Sequence, residues 1–139
     1  MASDLPRVAT SATLAGIGAL HVAWGLGSTW PFADETGLTD NIVGTPVTPS
    51  PMACFAVAGL LGSAAALVAG LPSRTSRVGT LGRATVATVL ATRGFLGLVG
   101  RTELVSPGSN STRFRRNDRA FLGPLCLALA AGAATSLRH

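Results

Sequence analysis

His21 and Arg93 lie inside long apolar stretches of the chain, where an ionisable side chain needs a partner or a purpose. Arginine keeps its proton under all ordinary conditions, so Arg93 calls for a carboxylate, carbonyl oxygens, water or an anionic ligand. None of the apolar stretches contains an acid. The nearest candidate is Asp118, at the entrance to the last stretch, which a long side chain can reach by snorkelling. Two outcomes follow: a structural Arg93–Asp118 pair, or an Arg93 that holds an anionic lipid headgroup or small anion with neutral His21 hydrogen-bonding beside it. On a helix, His21 shares a face with Gly18, Trp24, Gly25 and Ser28, a small-walled recess with an aromatic edge. The densest charge cluster runs Arg113-Phe114-Arg115-Arg116-Asn117-Asp118-Arg119, where flanking Arg residues can neutralise Asp118 and Phe114 suits a headgroup zone. The ligand-binding candidates are therefore His21, Trp24, Gly25, Ser28, Arg93, Asp118 and Arg119.

Other chemistry finds little support. Cys54 and Cys126 stand in apolar runs without the paired spacing of a metal or haem motif and read as buried free thiols. No nucleophile–base arrangement, metal cluster or phosphate-binding loop is present, so no catalytic residue, metal or cofactor is expected. The sequon Asn110-Ser111-Thr112 is discounted on a bacterial reading of the chain.

That bacterial reading comes from composition. All basic residues are Arg, none is Lys, and Ala, Gly, Leu, Val and Thr dominate, as in high-GC genomes. Over 139 residues the hydrophobic fraction is 47%, the charged fraction 12% and the mean hydropathy +0.46. Soluble domains carry about a quarter charged residues. The net charge of +5 does not point to nucleic acid, because the Arg residues fall mainly between apolar segments, where they orient helices and meet anionic lipid.

The elements that must position the candidates are four apolar spans at about 8–29, 51–71, 80–100 and 120–137, each near the length that crosses a bilayer. They predict one domain over 1–139, an all-α, integral membrane four-helix bundle. The 31–49 connection holds Asp34, Glu35 and Asp40 and reads as an irregular acidic loop broken by Gly37, Pro46 and Pro49. The 72–79 connection is short and basic, which places it and both termini in the cytoplasm. The basic 101–119 connection is the exception to that charge pattern. Asn117 and Asp118 are candidate caps for the last helix, and Pro124 either delays or bends it.

Small residues let helices approach closely in lipid. Stripes at every fourth position, Ser11, Ala15, Ala19, Ala23 and Gly27, and Ala58, Gly62, Ala66 and Gly70, predict contact faces on the first two spans. Gly94, Gly97 and Gly100 do the same on the third.

These residues together resemble a known family. His21-Val22-Ala23-Trp24-Gly25-Leu26-Gly27, Arg93-Gly94, and Phe114-Arg115-Arg116-Asn117-Asp118-Arg119 followed by Pro124-Leu125-Cys126 are similar to the small bacterial membrane proteins catalogued as domain of unknown function 3995. The resemblance covers nearly the whole chain and implies a four-span membrane protein, without supplying an activity.

The reading that follows is a non-enzymatic protein of the bacterial inner (plasma) membrane, in contact with membrane lipids, that binds a lipid headgroup or small anion in an outer-half pocket. The alternative is an accessory or scaffold subunit that packs against another membrane protein or a second copy. A membrane enzyme or transporter using His21 as a proton shuttle is weaker, resting on the histidine pKa range alone.

Overall fold

The first apolar stretch coils as α1 (Leu5–Gly25), with Pro6 in the opening turn, where its missing N–H costs no bond. It stops at Gly25 rather than near Thr29 because Gly27 takes φ +99°, and the amides of Leu26, Gly27 and Ser28 fold back onto the last carbonyls. The computed structural model describes residues 4–138, and they are all-helical, with no strand among them.

The acidic connection is more ordered than its Gly and Pro content predicts. Asp34 Oδ1 accepts from the amide of Gly37 at 2.7 Å and caps the short α2 (Glu35–Leu38), which continues into a π turn, Thr39–Val43. Burial of Leu38 and Thr39 holds this segment down.

Ser50 Oγ accepts from Ala53 to cap α3 (Pro51–Ala69), and Gly70, at φ +108°, ends it. Ser76 Oγ accepts from Gly79 at 2.9 Å, so α4 (Arg77–Val99) begins a turn before the predicted Thr80 and runs to Gly100, at φ +72°.

The last helix departs most from expectation. It begins at α5 (Thr112–Asn117), capped by Ser111 Oγ on the amide of Phe114, passes through a π turn, Asp118–Leu122, and continues as α6 (Gly123–Thr135). The helical run is thus 112–135 rather than 120–137, and Asn117 and Asp118 lie inside it instead of capping it. Pro124 gives the physical reason for the π turn: it donates no bond to the preceding turn and crowds the carbonyl four residues back, and a widened turn takes up both defects.

Packing joins α1 to α3 and α4 to α6, and the two pairs meet through α1–α6 and α3–α4. The predicted every-fourth-residue stripes do not make the α1–α3 seam, since Ala15, Ala19, Gly27 and Gly62 are exposed. The inward positions on α1 are Ser11, Leu14, Gly18, His21 and Gly25, and on α3 Cys54, Ala58, Leu61, Ala65 and Val68, all buried or half-buried at alternating steps of three and four. A constant step of four overshoots a turn by about 40° each time, so such a line winds off the contact, whereas alternating steps stay on it. At the crossing, a Cβ on Gly18 would lie 3.4 Å from the carbonyl oxygen of Ala58, and Ser11 Oγ donates to the carbonyl of Ala65 at 2.8 Å. The α4 stripe holds, because a Cβ on Gly94 would lie 2.8 Å from the carbonyl oxygen of Gly123.

Leu14, Ala65, Val68, Leu129 and Ala133 form the core in the half of the molecule nearest the short connection. Both described chain ends sit there too: Arg7 bonds Asp4 at 3.0 Å and the carbonyl of Ala69, and Arg74 stands 3.9 Å from Asp4. The Arg7 hydrogen bond, then its charge and that of Arg74, hold the Asp4 carboxyl below the usual carboxylate range. At the opposite end the two long connections dock on each other. Ser109 Oγ donates to the carbonyl of Val43 at 2.6 Å, the amides of Asn110 and Ser111 donate to that of Gly44, and Asn117 Nδ2 donates to Asn41 at 2.7 Å.

The seam makes a direct contrast between neighbours. Gly18→Leu overpacks the α1–α3 crossing and should cost about 1–3 kcal/mol, while Ala19→Leu should leave stability within about 0.5 kcal/mol, as surface changes do. Thermal denaturation of the two purified variants reads the difference.

Candidate functional site

At the end where the two long connections dock, a cavity of about 370 Å³ opens between them and the long helices. His21 and Trp24 enter it from α1, Ala53, Cys54 and Val57 from α3, and Arg93 from α4. Leu38, Ile42 and Val43 close it from the first connection, Ser106 and Ser109 from the second, and Phe114 from α5. Its volume falls in the range of small-molecule sites, about 300–1,000 Å³.

Phe114 is 1% exposed and thus belongs to the interior rather than to a headgroup zone. The backbone makes room for it at Gly44, where φ is +79° and a Cβ would lie 2.6 Å from the ring.

Arg93 has its acid. Nη1 lies 2.8 Å from Oδ1 of Asp118, whose side chain is 1% exposed against 26% for Arg93. The N–H is bent away from the line between the two atoms, so the contact is one of charge more than an aligned hydrogen bond. Asp118 Oδ2 accepts from the hydroxyl of Thr102, which completes the carboxylate. Gly97 provides the space, because a Cβ there would come within 2.9 Å of Asp118 Oδ1 and 3.0 Å of Arg93 Nη1.

The His21 ring stands edge-on to Trp24 with centroids 4.8 Å apart. Its Nδ1 is 2.9 Å from the carbonyl of Ile17, one turn back, so that nitrogen carries the proton of the neutral ring and Nε2 carries the lone pair. Trp24 Nε1 donates to the carbonyl of Trp30 at 2.8 Å, fixing the indole over the turn that ends α1.

Of the seven residues predicted for the site, His21, Trp24 and Arg93 meet at the cavity, and Asp118 stands behind Arg93 as its partner. The other three lie elsewhere. Gly25 faces α3, where a Cβ would lie 2.8 Å from the ring of Phe55. Ser28 has left the helix, so it does not share the face of His21, and its hydroxyl accepts from the amide of Trp30 at 3.2 Å. Arg119 donates from Nε to the carbonyl of Leu98 at 3.1 Å, where it serves an unpaired carbonyl in the last turn of α4. Cys54 is buried at the cavity wall, and both cysteines are free.

Sequence-based reasoning missed one participant and, away from the cavity at the short-connection end, one buried charge. Thr102 lies beyond the helix, and nothing in its spacing links it to Asp118. Arg83 is 1% exposed, with Nη2 donating to the carbonyl of Arg74 at 2.7 Å and the hydroxyl of Thr80 at 3.2 Å, while Nε and Nη1 have no partner among the described residues. Its position seven residues into α4 was the available signal.

With Arg93, Asp118 and the His21–Trp24 edge in place, the match to known sequences is informative. The pattern of the family described as "Protein of unknown function (DUF3995)" covers residues 14–133, from mid-α1 to the end of α6. The chain belongs to this family. No curated protein and no solved structure matches it. Within this DUF3995 member the matched region includes the cavity-lining residues of α1, α3, α4 and α5, the Arg93–Asp118 pair and the two docked connections.

Removing one partner of a buried pair strands the other. Asp118→Ala should cost about 3 kcal/mol, the lower end of the usual range because Arg93 is part-exposed. Combining it with Arg93→Met should recover part of that loss, and a double-mutant cycle on unfolding midpoints reads the coupling.

Proposed function

We propose that the chain is a non-enzymatic, multi-pass protein of the bacterial inner membrane, a membrane-integral four-helix bundle whose loop-side cavity holds the polar head of a lipid-like molecule. The carrying observation is the convergence of His21, Trp24 and Arg93, from helices far apart in sequence, on one largely apolar cavity of about 370 Å³.

Several features support the membrane part. Helices α1 and α3 are long and apolar enough to cross a bilayer. Each of the four long helical runs exposes large apolar side chains, including Val8 at 53%, Leu60 at 72%, Phe95 at 60% and Phe121 at 72% exposure. In water such a belt is a liability, whereas lipid matches it. Two obstacles to a spanning α4 are reduced, since Arg93 meets Asp118 and Arg83 turns to a loop carbonyl.

Orientation follows from the first helix, which commonly dominates. Arg7 precedes α1, and the connection after it holds acids and no base, which favours cytoplasmic termini. Fusion reporters at the two ends should both report the cytoplasm, and a split result removes the four-span reading.

As for the ligand, Asp118 already neutralises Arg93, so a free small anion gains less here than a headgroup carrying an apolar body into the cavity. Ala53→Phe fills the space beside Cys54 and should abolish a lipid retained through gentle purification, as read by native mass spectrometry, with the unfolding midpoint kept. Retention equal to wild type removes the cavity reading.

The scaffold alternative keeps one specific support: Ala15, Ala19 and Gly62 lie on the outer surface, and a Cβ on Gly62 meets nothing within 4 Å. Gly62→Leu should therefore leave the isolated fold intact. A stable oligomer that this change converts to monomer, by light scattering in detergent, would favour the alternative.

A further inference from the structure

The polar groups around the cavity have almost all been used within the protein, and what is left over describes the ligand. Ser109 Oγ donates to the carbonyl of Val43, which can only accept, so the 2.7 Å contact between Ser106 and Ser109 uses the proton of Ser106. Trp24 Nε1 is engaged by Trp30, and Thr48 Oγ1 donates to Glu35 at 3.3 Å. The proton on His21 Nδ1 goes to Ile17. Among the capacities left with no aligned hydrogen bond to the described residues are the lone pair on His21 Nε2 and the N–H groups of Arg93, whose Nη1 has only the bent contact to Asp118.

A lone pair beside cationic donors fits one simple group. A hydroxyl donates its proton to the imidazole and accepts from the guanidinium with the same oxygen. A carboxylate can satisfy Arg93 but has no proton for neutral His21, so two acceptors would face each other. Charge points the same way. The Arg93–Asp118 pair is neutral as a unit, so an uncharged guest leaves it balanced, whereas an anion adds a net negative charge among Leu38, Ile42, Val43, Val57 and Phe114. Those apolar walls favour a hydrocarbon body beyond the polar end.

We infer that the cavity selects a neutral lipid alcohol, with its hydroxyl bridging His21 Nε2 and the free guanidinium N–H groups of Arg93 and its hydrocarbon chain against the apolar walls. The inference rests on the cavity being a ligand site at all, as proposed above.

The probes are 1-tetradecanol, tetradecanoate and tetradecane, added to the full-length protein in zwitterionic nanodiscs at pH 8.5. Binding is read from the fluorescence of Trp24 in a Trp30→Phe background. Tetradecanol should bind tightest, and His21→Phe should weaken it by about three- to tenfold, the value of one hydrogen bond, without changing tetradecane. Tetradecanoate binding as tightly as the alcohol, or an alcohol affinity indifferent to His21→Phe, overturns the inference. If Ala53→Phe still abolishes binding in those cases, only the ligand class fails and the cavity stands. If none of the probes binds, or if binding ignores Ala53→Phe, the cavity reading falls with it.

Discussion

A permanently charged guanidinium about three-quarters of the way along α4 sets the terms for the loop-side half of this molecule. Arg93 has to be neutralised, and the chain does so with Asp118, at the start of the π turn in the last helical run, held 2.8 Å away. Much of the surrounding architecture serves that contact. Gly97 leaves space for both side chains, and Gly94 lets α6 approach α4 until backbone meets backbone. Thr102 occupies the second carboxylate oxygen. Because the pair is neutral as a unit, Arg93 can face a cavity without requiring an anion inside it.

The two ends of the molecule divide the work. Where the chain ends and the short connection meet, Leu14, Val68, Leu129 and Ala133 fill the interior with aliphatic side chains. Where the long connections meet, polar contacts between Asn41 and Asn117 and between Val43 and Ser109 tie two surface segments together over a space that side chains do not fill. The docking also brings the acids Asp34, Glu35 and Asp40 to the same end as the Arg-rich 113–119 segment.

Hydropathy and punctuation made the helices legible. The apolar stretches at 51–71 and 80–100 match α3 and α4 closely, while the capping serines Ser50 and Ser76 and the stop glycines Gly70 and Gly100 set the bounds that hydropathy leaves loose. Contact faces were harder to read, because Ala and Gly are so frequent here that an every-fourth-residue line can be drawn on either side of α1. Only the step that keeps pace with the helical turn decides between them, and that step runs through Leu14 and His21, which are not small. At the site, the demand of Arg93 for Asp118 followed from charge alone, as one of two outcomes. The roles of Ser28 and Arg119 did not, since each depends on where a backbone turn falls: Gly27 takes Ser28 off its helix, and the π turn directs Arg119 to the end of α4.

That π turn also limits how the chain can change length. It carries one residue more than an α-helical turn would need, and each residue rotates a helix by about 100°. Loss of a single residue between Asp118 and Leu122 would restore regular winding and swing everything from Thr112 to Asp118 around the axis of α6. The carboxylate would leave Arg93, Phe114 would leave the pocket beside Gly44, and Asn117 would leave Asn41, all in one step. The exposed side chains of Ala120 and Phe121 can therefore vary individually, but the number of residues in the segment is fixed by every contact upstream of it.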